Sequence, residues 1–301
     1  MNQPPIVVSL GEVLWDLLPA GPQLGGAPAN LACHVRAIGA QSFLVSCVGH
    51  DRLGDEALRL LSDRALDLSL IGRDPHRPTG TVAVEVGADG QPRFEIAKDV
   101  AWDALTIQSP ALQRAASADA ICFGSLAQRS VGSRRAIRQL VAASPPEALR
   151  VFDVNLRPPF HTAEVIAESL ELANVLKLNE TELPVLAAQF GLLGSAEEQI
   201  ESLADQFALE VVALTLGSAG SRLLRDGQWA AEPGRPVQVM DAVGAGDAFT
   251  AALVMGLLSG WTTPQLLAAA TDVAAFVCTQ AGATPELPTA LRGRFLTPRE
   301  P

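Results

Sequence analysis

Late in the chain, Asp241-Ala-Val-Gly-Ala-Gly-Asp-Ala-Phe-Thr250 sets two glycines and two carboxylates at the head of an apolar run with helical spacing, Ala248 to Leu258. Gly244 and Gly246 permit dihedrals that a side chain forbids and let the backbone approach another group closely. A glycine loop that opens a helix leaves amide N–H groups unpaired at the positive end of the dipole, and that is an anion site. Asp247 lies in the same turn. A carboxylate beside an anion hole is useful if it takes a proton from a nucleophile while the amides steady charge on a transferring phosphoryl group. An ordinary Asp cap after a glycine turn accounts for the same residues equally well.

Four other stretches carry polar groups in suggestive places. Asp16 sits between Trp15 and Leu17; it is either an exposed turn residue or a pair of acceptor oxygens facing a polar ligand. Leu24-Gly-Gly-Ala-Pro-Ala-Asn30 opens a helix that stops at Gly39. Its paired glycines either bring bare backbone to ligand hydroxyls or make a plain tight turn. Asn179 and Glu182 share a face at a helix start, which suits a hydrated Mg²⁺ or a capping-type start. The glycines of Thr215-Leu-Gly-Ser-Ala-Gly220 either pass close to a nucleotide or form a turn before Ser221 to Leu224.

The elements that must position these residues alternate. Strands are predicted at Ile6 to Leu10, Ser42 to Val48, Ala120 to Gly124, Arg150 to Val154, Val175 to Leu178 and Glu210 to Leu216, with a Pro-bearing strand-like run at Pro236 to Met240. Helical patterns lie at Val131 to Ala143, Ala163 to Ala173, Glu182 to Phe190, Glu197 to Phe207 and Pro264 to Gln280. Repeated β-α units imply a mostly parallel sheet covered on both faces, with ligands beyond the carboxyl ends of its strands. Between Thr79 and Trp102 an antiparallel ribbon, Thr81 to Val86 and Arg93 to Ile96 about an Ala88-Asp-Gly90 turn, is inserted as a flap or a dimer contact. The 301 residues suit one large α/β domain. A net charge of −11 without basic runs argues against nucleic acid. With no signal-peptide pattern or membrane-length apolar run, a cytoplasmic protein is expected. The four cysteines and four histidines show no ligand spacing.

Together these stretches resemble the ribokinase-like, PfkB-type carbohydrate kinases nearly end to end. Gly25-Gly-Ala-Pro-Ala-Asn30 is similar to that family's first signature, Asp241 to Asp247 to its second, and Asn179-Glu-Thr-Glu182 to its Asn-x-x-Glu motif. Gly11-Glu-Val-Leu-Trp-Asp16 and Asp153-Val-Asn-Leu-Arg157 look most like the fructokinase branch. The resemblance implies a Rossmann-like, mostly parallel sheet between helices over residues 1–301, with a small β lid from segments about 12–25 and 79–103, often dimeric through that lid. It implies an ATP-dependent sugar kinase with Asp247 as base and Gly244, Ala245 and Gly246 as anion hole. Asp16, Gly26, Asn30 and Arg157 would bind the sugar, Thr215, Gly217 and Lys177 the ATP. Asn179 and Glu182 would organise Mg²⁺, and a K⁺ would sit by Asp241, the Val243 carbonyl and the Gly282 region. The second signature commonly has Thr after its first Asp, where this chain has Ala242-Val243, and Glu286 stands where a small polar residue is usual. Fructose is the expected acceptor, with ribose a further alternative. 2-Keto-3-deoxygluconate ranks second because the chain has no Tyr and only Arg93, Lys98 and Arg157 near its carboxylate. A nucleoside ranks third because only Trp15, Phe94 and Trp102 lie in the expected lid segments to stack a base. A catalytically dead sugar-binding protein is the alternative of another class.

Overall fold

The computed structural model describes residues 3–19, 21–86 and 92–296. The first part of the chain runs through strands β1 (Ile6–Leu10), β2 (Leu14–Leu18) and β3 (Gly21–Gly25), helix α1 (Ala27–Ala37), β4 (Gln41–Gly49), α2 (Arg52–Asp63) and β5 (Ile71–Asp74). It continues through β6 (Gly80–Val86), β7 (Pro92–Ile96), α3 (Ser109–Ala115), β8 (Ala120–Gly124), α4 (Val131–Ala142), β9 (Leu149–Asp153), α5 (Ala163–Leu172) and β10 (Val175–Asn179). The last part holds α6 (Leu183–Phe190), α7 (Ala196–Phe207), β11 (Val211–Thr215), β12 (Gly220–Arg225), β13 (Gln228–Pro233), α8 (Ala245–Leu258), α9 (Thr263–Cys278) and α10 (Thr289–Leu296).

Among the described residues the strands form two sheets. The large one has the order β13-β12-β11-β10-β9-β8-β1-β4-β5, parallel from β11 to β5 with β12 and β13 antiparallel at one edge. Its central strands are mostly apolar because both faces are covered. Val8, Leu10, Ile121, Phe123 and Phe152 point into the core shared with α3 to α7, and their neighbours Val7, Ala120, Cys122 and Val151 point to α1, α8 and α9. The small sheet has the order β3-β2-β6-β7. It meets the body through Trp15, which packs with Ala29, Ala57 and Leu61. The four cysteines are free, and three of them are buried.

Most of the expected elements are present, and three differences have physical causes. Pro236 to Met240 is not a strand: β13 ends at Pro233, Val239 and Met240 are 61% and 69% exposed, and the Met240 amide bonds to the Cys278 carbonyl instead of to a sheet. The proline-rich segment before Leu24 supplies strand β3, where Pro22 is tolerated because β3 is an edge. The short β5 and the helices α3 and α10 gave no periodic signal long enough to read. The Ala88-Asp-Gly90 turn lies outside the described residues.

Candidate active site

Glu12, Asp153, Asn179 and Thr215 all stand at or just past the carboxyl ends of parallel strands, and Glu12 and Asp153 lie beside the amino end of α8. Gly244 caps that helix with φ +78, a left-handed conformation that only glycine adopts without strain. The amides of Gly246 and Asp247 belong to the first helical turn, where no carbonyl four residues back serves them. The Asp247 Oδ2 accepts a hydrogen bond from Asn30 Nδ2 at 2.8 Å. Two signature segments 217 positions apart thus meet at one carboxyl group. Asp247 lines a pocket with Glu12, Ala27, Pro28, Asp153 and Asn155. Burial first, and then the charge of Asp153, push its carboxyl up to about 6, against the Asn30 bond and the charges of Lys177 and Arg157. The residue is crowded yet keeps part of its surface open.

Behind the loop lies a buried polar chain that sequence reading did not anticipate. Lys177, expected at the nucleotide, is 6% exposed and places Nζ 3.1 Å from Asp153 Oδ1. The Thr250 hydroxyl donates to Asp153 Oδ2 at 2.8 Å and also contacts the Gly246 carbonyl at 3.0 Å. A Cβ on Gly246 would fall 3.2 Å from the Lys177 ammonium, so the second loop glycine leaves room for that charge. Burial pulls the ammonium down, but Asp153, Glu182 and Asp247 outweigh it, and Lys177 stays protonated.

Asp16 on β2 does not line the Asp247 pocket; it is half-buried, with Gly25 directly beneath its carboxyl, where a Cβ would lie 2.5 Å from Oδ2. Gly26, with φ +107, is equally constrained, since a Cβ would meet the Glu12 carbonyl at 2.4 Å. Burial raises the Asp16 carboxyl above its usual range, and Arg157 opposes that shift. Arg157 is exposed, and its charge reaches Glu12, Asp16 and Asp247 alike. Asn155 adopts a left-handed φ of +40 at the pocket wall, a conformation that stores strain.

Glu12 lines the same pocket as Asp247 and was not singled out by pattern reading; its one signal was a carboxylate next to Gly11 at the end of the first strand. It is 4% exposed, and burial pushes its carboxyl up to about 7, helped by Asp247 and opposed by backbone N–H bonds and Arg157. A raised carboxyl pKa means the native state holds the proton more tightly than the unfolded chain. Its contribution to stability is complete below about 4.5 and is lost as pH rises through about 7. Glu12→Gln should therefore gain stability over the parent between pH 4.5 and pH 8, by on the order of 3 kcal/mol. Urea unfolding at both pH values measures the gain, and a difference independent of pH would refute it.

Asn179 and Glu182 bond into the backbone. Asn179 Oδ1 accepts from the Thr181 amide at 2.9 Å and from the Glu182 amide at 3.0 Å. Glu182 accepts from the amides of Asn179 and Leu156, each at 2.9 Å. The capping-type start is thus present, with Glu182 buried beneath the end of β10. Thr215 is the register partner of Asn179 across β10 and β11, and Gly217 follows with φ +54. Asp241 bridges two segments by accepting from the Val243 amide at 3.0 Å and the Gly282 amide at 3.1 Å. Among the described residues no three His, Cys, Asp or Glu side chains converge as a metal cage. A divalent ion here would rest on one or two protein oxygens, water and phosphate, as Mg²⁺ does. No helix among those residues is long and apolar enough to cross a membrane.

A glycine-capped helix start and a carboxylate of raised pKa, set over a pocket at the carboxyl ends of a parallel sheet, are the parts of a phosphotransferase-type α/β site. Residues 21–290 match the pfkB family carbohydrate kinase, and the chain belongs to that family of sugar kinases. It is 30% identical to a fructokinase of Klebsiella pneumoniae over 296 residues, 93% of this chain and 95% of the relative. An uncharacterized sugar kinase from Pyrococcus horikoshii, solved in complex with ATP, superposes with a TM-score of 0.81 at 30% identity, covering 97% of this chain and 100% of that one. A fructokinase from Vibrio cholerae, solved with fructose, ADP and calcium ion, gives 0.79 at 25% identity, covering 97% and 98%.

Proposed function

We propose that this sugar kinase is a fructokinase that uses MgATP. The observation that carries the reading is the Asn30–Asp247 hydrogen bond at the mouth of the glycine loop, which joins an acceptor wall to an anion site at one carboxylate. A sugar hydroxyl lies between Asp247 and the γ-phosphate. Asp247 takes its proton as the oxygen attacks phosphorus in line, and the bond to the β,γ-bridging oxygen breaks to leave ADP. The amides at Gly244, Ala245 and Gly246 receive the charge that gathers on the phosphoryl oxygens. Asp16, Gly26, Asn30 and Arg157 hold the sugar, while Thr215 and Gly217 line the nucleotide side. Lys177 supports the loop from beneath. Asn179 and Glu182 would organise Mg²⁺, directly or through water, and the ion would supply positive charge against the phosphates. Asp241 and the Val243 carbonyl are the seat for a monovalent cation such as K⁺.

The small sheet covers the acceptor as a lid and forms the contact of a homodimer, and the enzyme works in the cytoplasm. Fructose is favoured because the acceptor wall carries carboxylates, Glu12 and Asp16, suited to neutral hydroxyls. Arg157, exposed beside them, supports 2-keto-3-deoxygluconate as the second reading. Initial rates with fructose, 2-keto-3-deoxygluconate, ribose and adenosine, each with ATP, test the choice. The highest kcat/KM is expected with fructose, and a preference for the acidic sugar would overturn it.

A further inference from the structure

Away from the loop and the pocket, one half-buried carboxylate gathers an unusual number of bonds where the small sheet leaves the body. Asp51 caps α2 by accepting from the Gly54 amide at 2.7 Å. The same carboxylate accepts from the Thr79 amide and from the Thr79 hydroxyl, each at 2.7 Å. That hydroxyl in turn accepts from the Gly49 amide at 2.9 Å. Thr79 is 2% exposed and immediately precedes Gly80, the first residue of β6. Neither flanking glycine has room for a side chain. A Cβ on Gly49 would meet the Thr79 nitrogen at 2.6 Å, and one on Gly54 the Gly49 carbonyl at 2.3 Å.

From this knot a short mechanical path leads to the acceptor wall. Gly80 is the register partner of Leu14 and Val82 that of Asp16, so the position of β6 fixes β2. The same helix start holds β2 a second time, because Trp15 Nε1 donates to the Leu53 carbonyl at 3.0 Å. The short 3-10 turn that follows β7, Ala101–Ala104, is tied alongside: the Ala101 amide bonds to the Pro78 carbonyl at 2.8 Å, and a Cβ on Gly80 would strike Trp102 Nε1. We infer that Asp51 is a positioning residue for the acceptor site: through Thr79 it fixes the root of β6, and through β6 the strand that carries Asp16. Its bonds run to amides and a hydroxyl that are buried together, so removing one acceptor leaves unpaired donors and loosens the whole root. The catalytic half of this inference rests on the sugar-kinase reading; the mechanical half does not.

Asp51→Asn offers an N–H₂ where Thr79 needs an acceptor, Thr79→Val removes the hydroxyl while keeping the bulk, and Thr79→Ser keeps both hydroxyl bonds. Backbone amide exchange of residues 14–18 and 80–83 should speed up about tenfold or more in the first two variants, at unchanged exchange in β8 to β10. The KM for sugar should rise by about the same factor while kcat and the KM for ATP stay within about twofold. Thr79→Ser should restore parental values. Unchanged exchange at residues 14–18 in both variants would overturn the inference, as would acceleration spread evenly through the central sheet. A KM for sugar unmoved in variants with a loosened root would also overturn it. If the parent protein phosphorylates none of the sugars, the kinase reading fails instead, and the exchange measurement alone decides the role of Asp51.

Discussion

Asp247→Asn should bind sugar and nucleotide and fail to turn them over, with kcat reduced by about 10²–10⁴-fold. The expectation follows from what the substitution keeps and what it removes. An amide is nearly isosteric with the carboxylate, and its carbonyl oxygen still accepts the bond that Asn30 Nδ2 makes at 2.8 Å. The glycine loop, Lys177 and Thr250 need not move, so the anion site survives. What is lost is the carboxylate proposed to take the hydroxyl proton as phosphorus is attacked. The surroundings favour proton transfer, because burial and Asp153 lift the carboxyl to about 6, making it a better base than a surface aspartate while leaving it ionised at neutral pH. Sugar affinity by calorimetry and kcat by coupled assay test the split. Turnover within about tenfold of the parent would remove Asp247 from the role of base.

The two glycine signatures were legible because their information is local: residue type and spacing dictate a loop that opens a helix, wherever that loop ends up. The alternating fold was legible for a related reason, since a strand covered on both faces is mostly apolar, as in Ile6 to Leu10, where Ser9 is the one polar residue. What was not legible depends on distant partners. Nothing near Glu12 announces that it will be buried at the pocket beside the start of α1, and nothing near Lys177 announces that Asp153 will neutralise it under the loop. His34 looked like an isolated histidine, yet Nε2 lies 2.9 Å from the Ala283 carbonyl. Pro236 to Met240 has strand-like residues, but no partner strand is available beyond β13 among the described residues. Asn179 and Glu182 show the limit from the other side: their spacing fitted a cap and an ion-organising pair alike, and the bonds in place are those of the cap.

Gly244→Ala should disable the anion loop while the protein remains folded, and the cost should be larger than one methyl group suggests. Two effects add. With φ at +78 the residue occupies a region that disfavours an L side chain, a penalty of about 1–2 kcal/mol. The new Cβ would also lie 2.3 Å from the Ala283 carbonyl oxygen and 2.7 Å from its Cα, and these are backbone atoms with no rotamer to change. The loop that bears them is pinned from both sides. The Gly282 amide is held by Asp241 at 3.1 Å. The Ala283 carbonyl receives the Nε2–H of His34, which burial keeps neutral by lowering its pKa to about 4. Since Ala283 cannot retreat without breaking a buried bond, the helix start must yield, and Gly246 and Asp247 move with it. A displacement of preorganised amides by a few tenths of an ångström costs about as much as losing one donor, roughly 10²–10³-fold in kcat. Because α8 is buried along its length by Ala248 to Gly256, the fold should hold and the loss should appear mainly in kcat. Steady-state rates alongside thermal unfolding measure the two separately. Full activity in Gly244→Ala would mean that the loop adapts freely and that its amides are not the preorganised anion site on which phosphoryl transfer here depends.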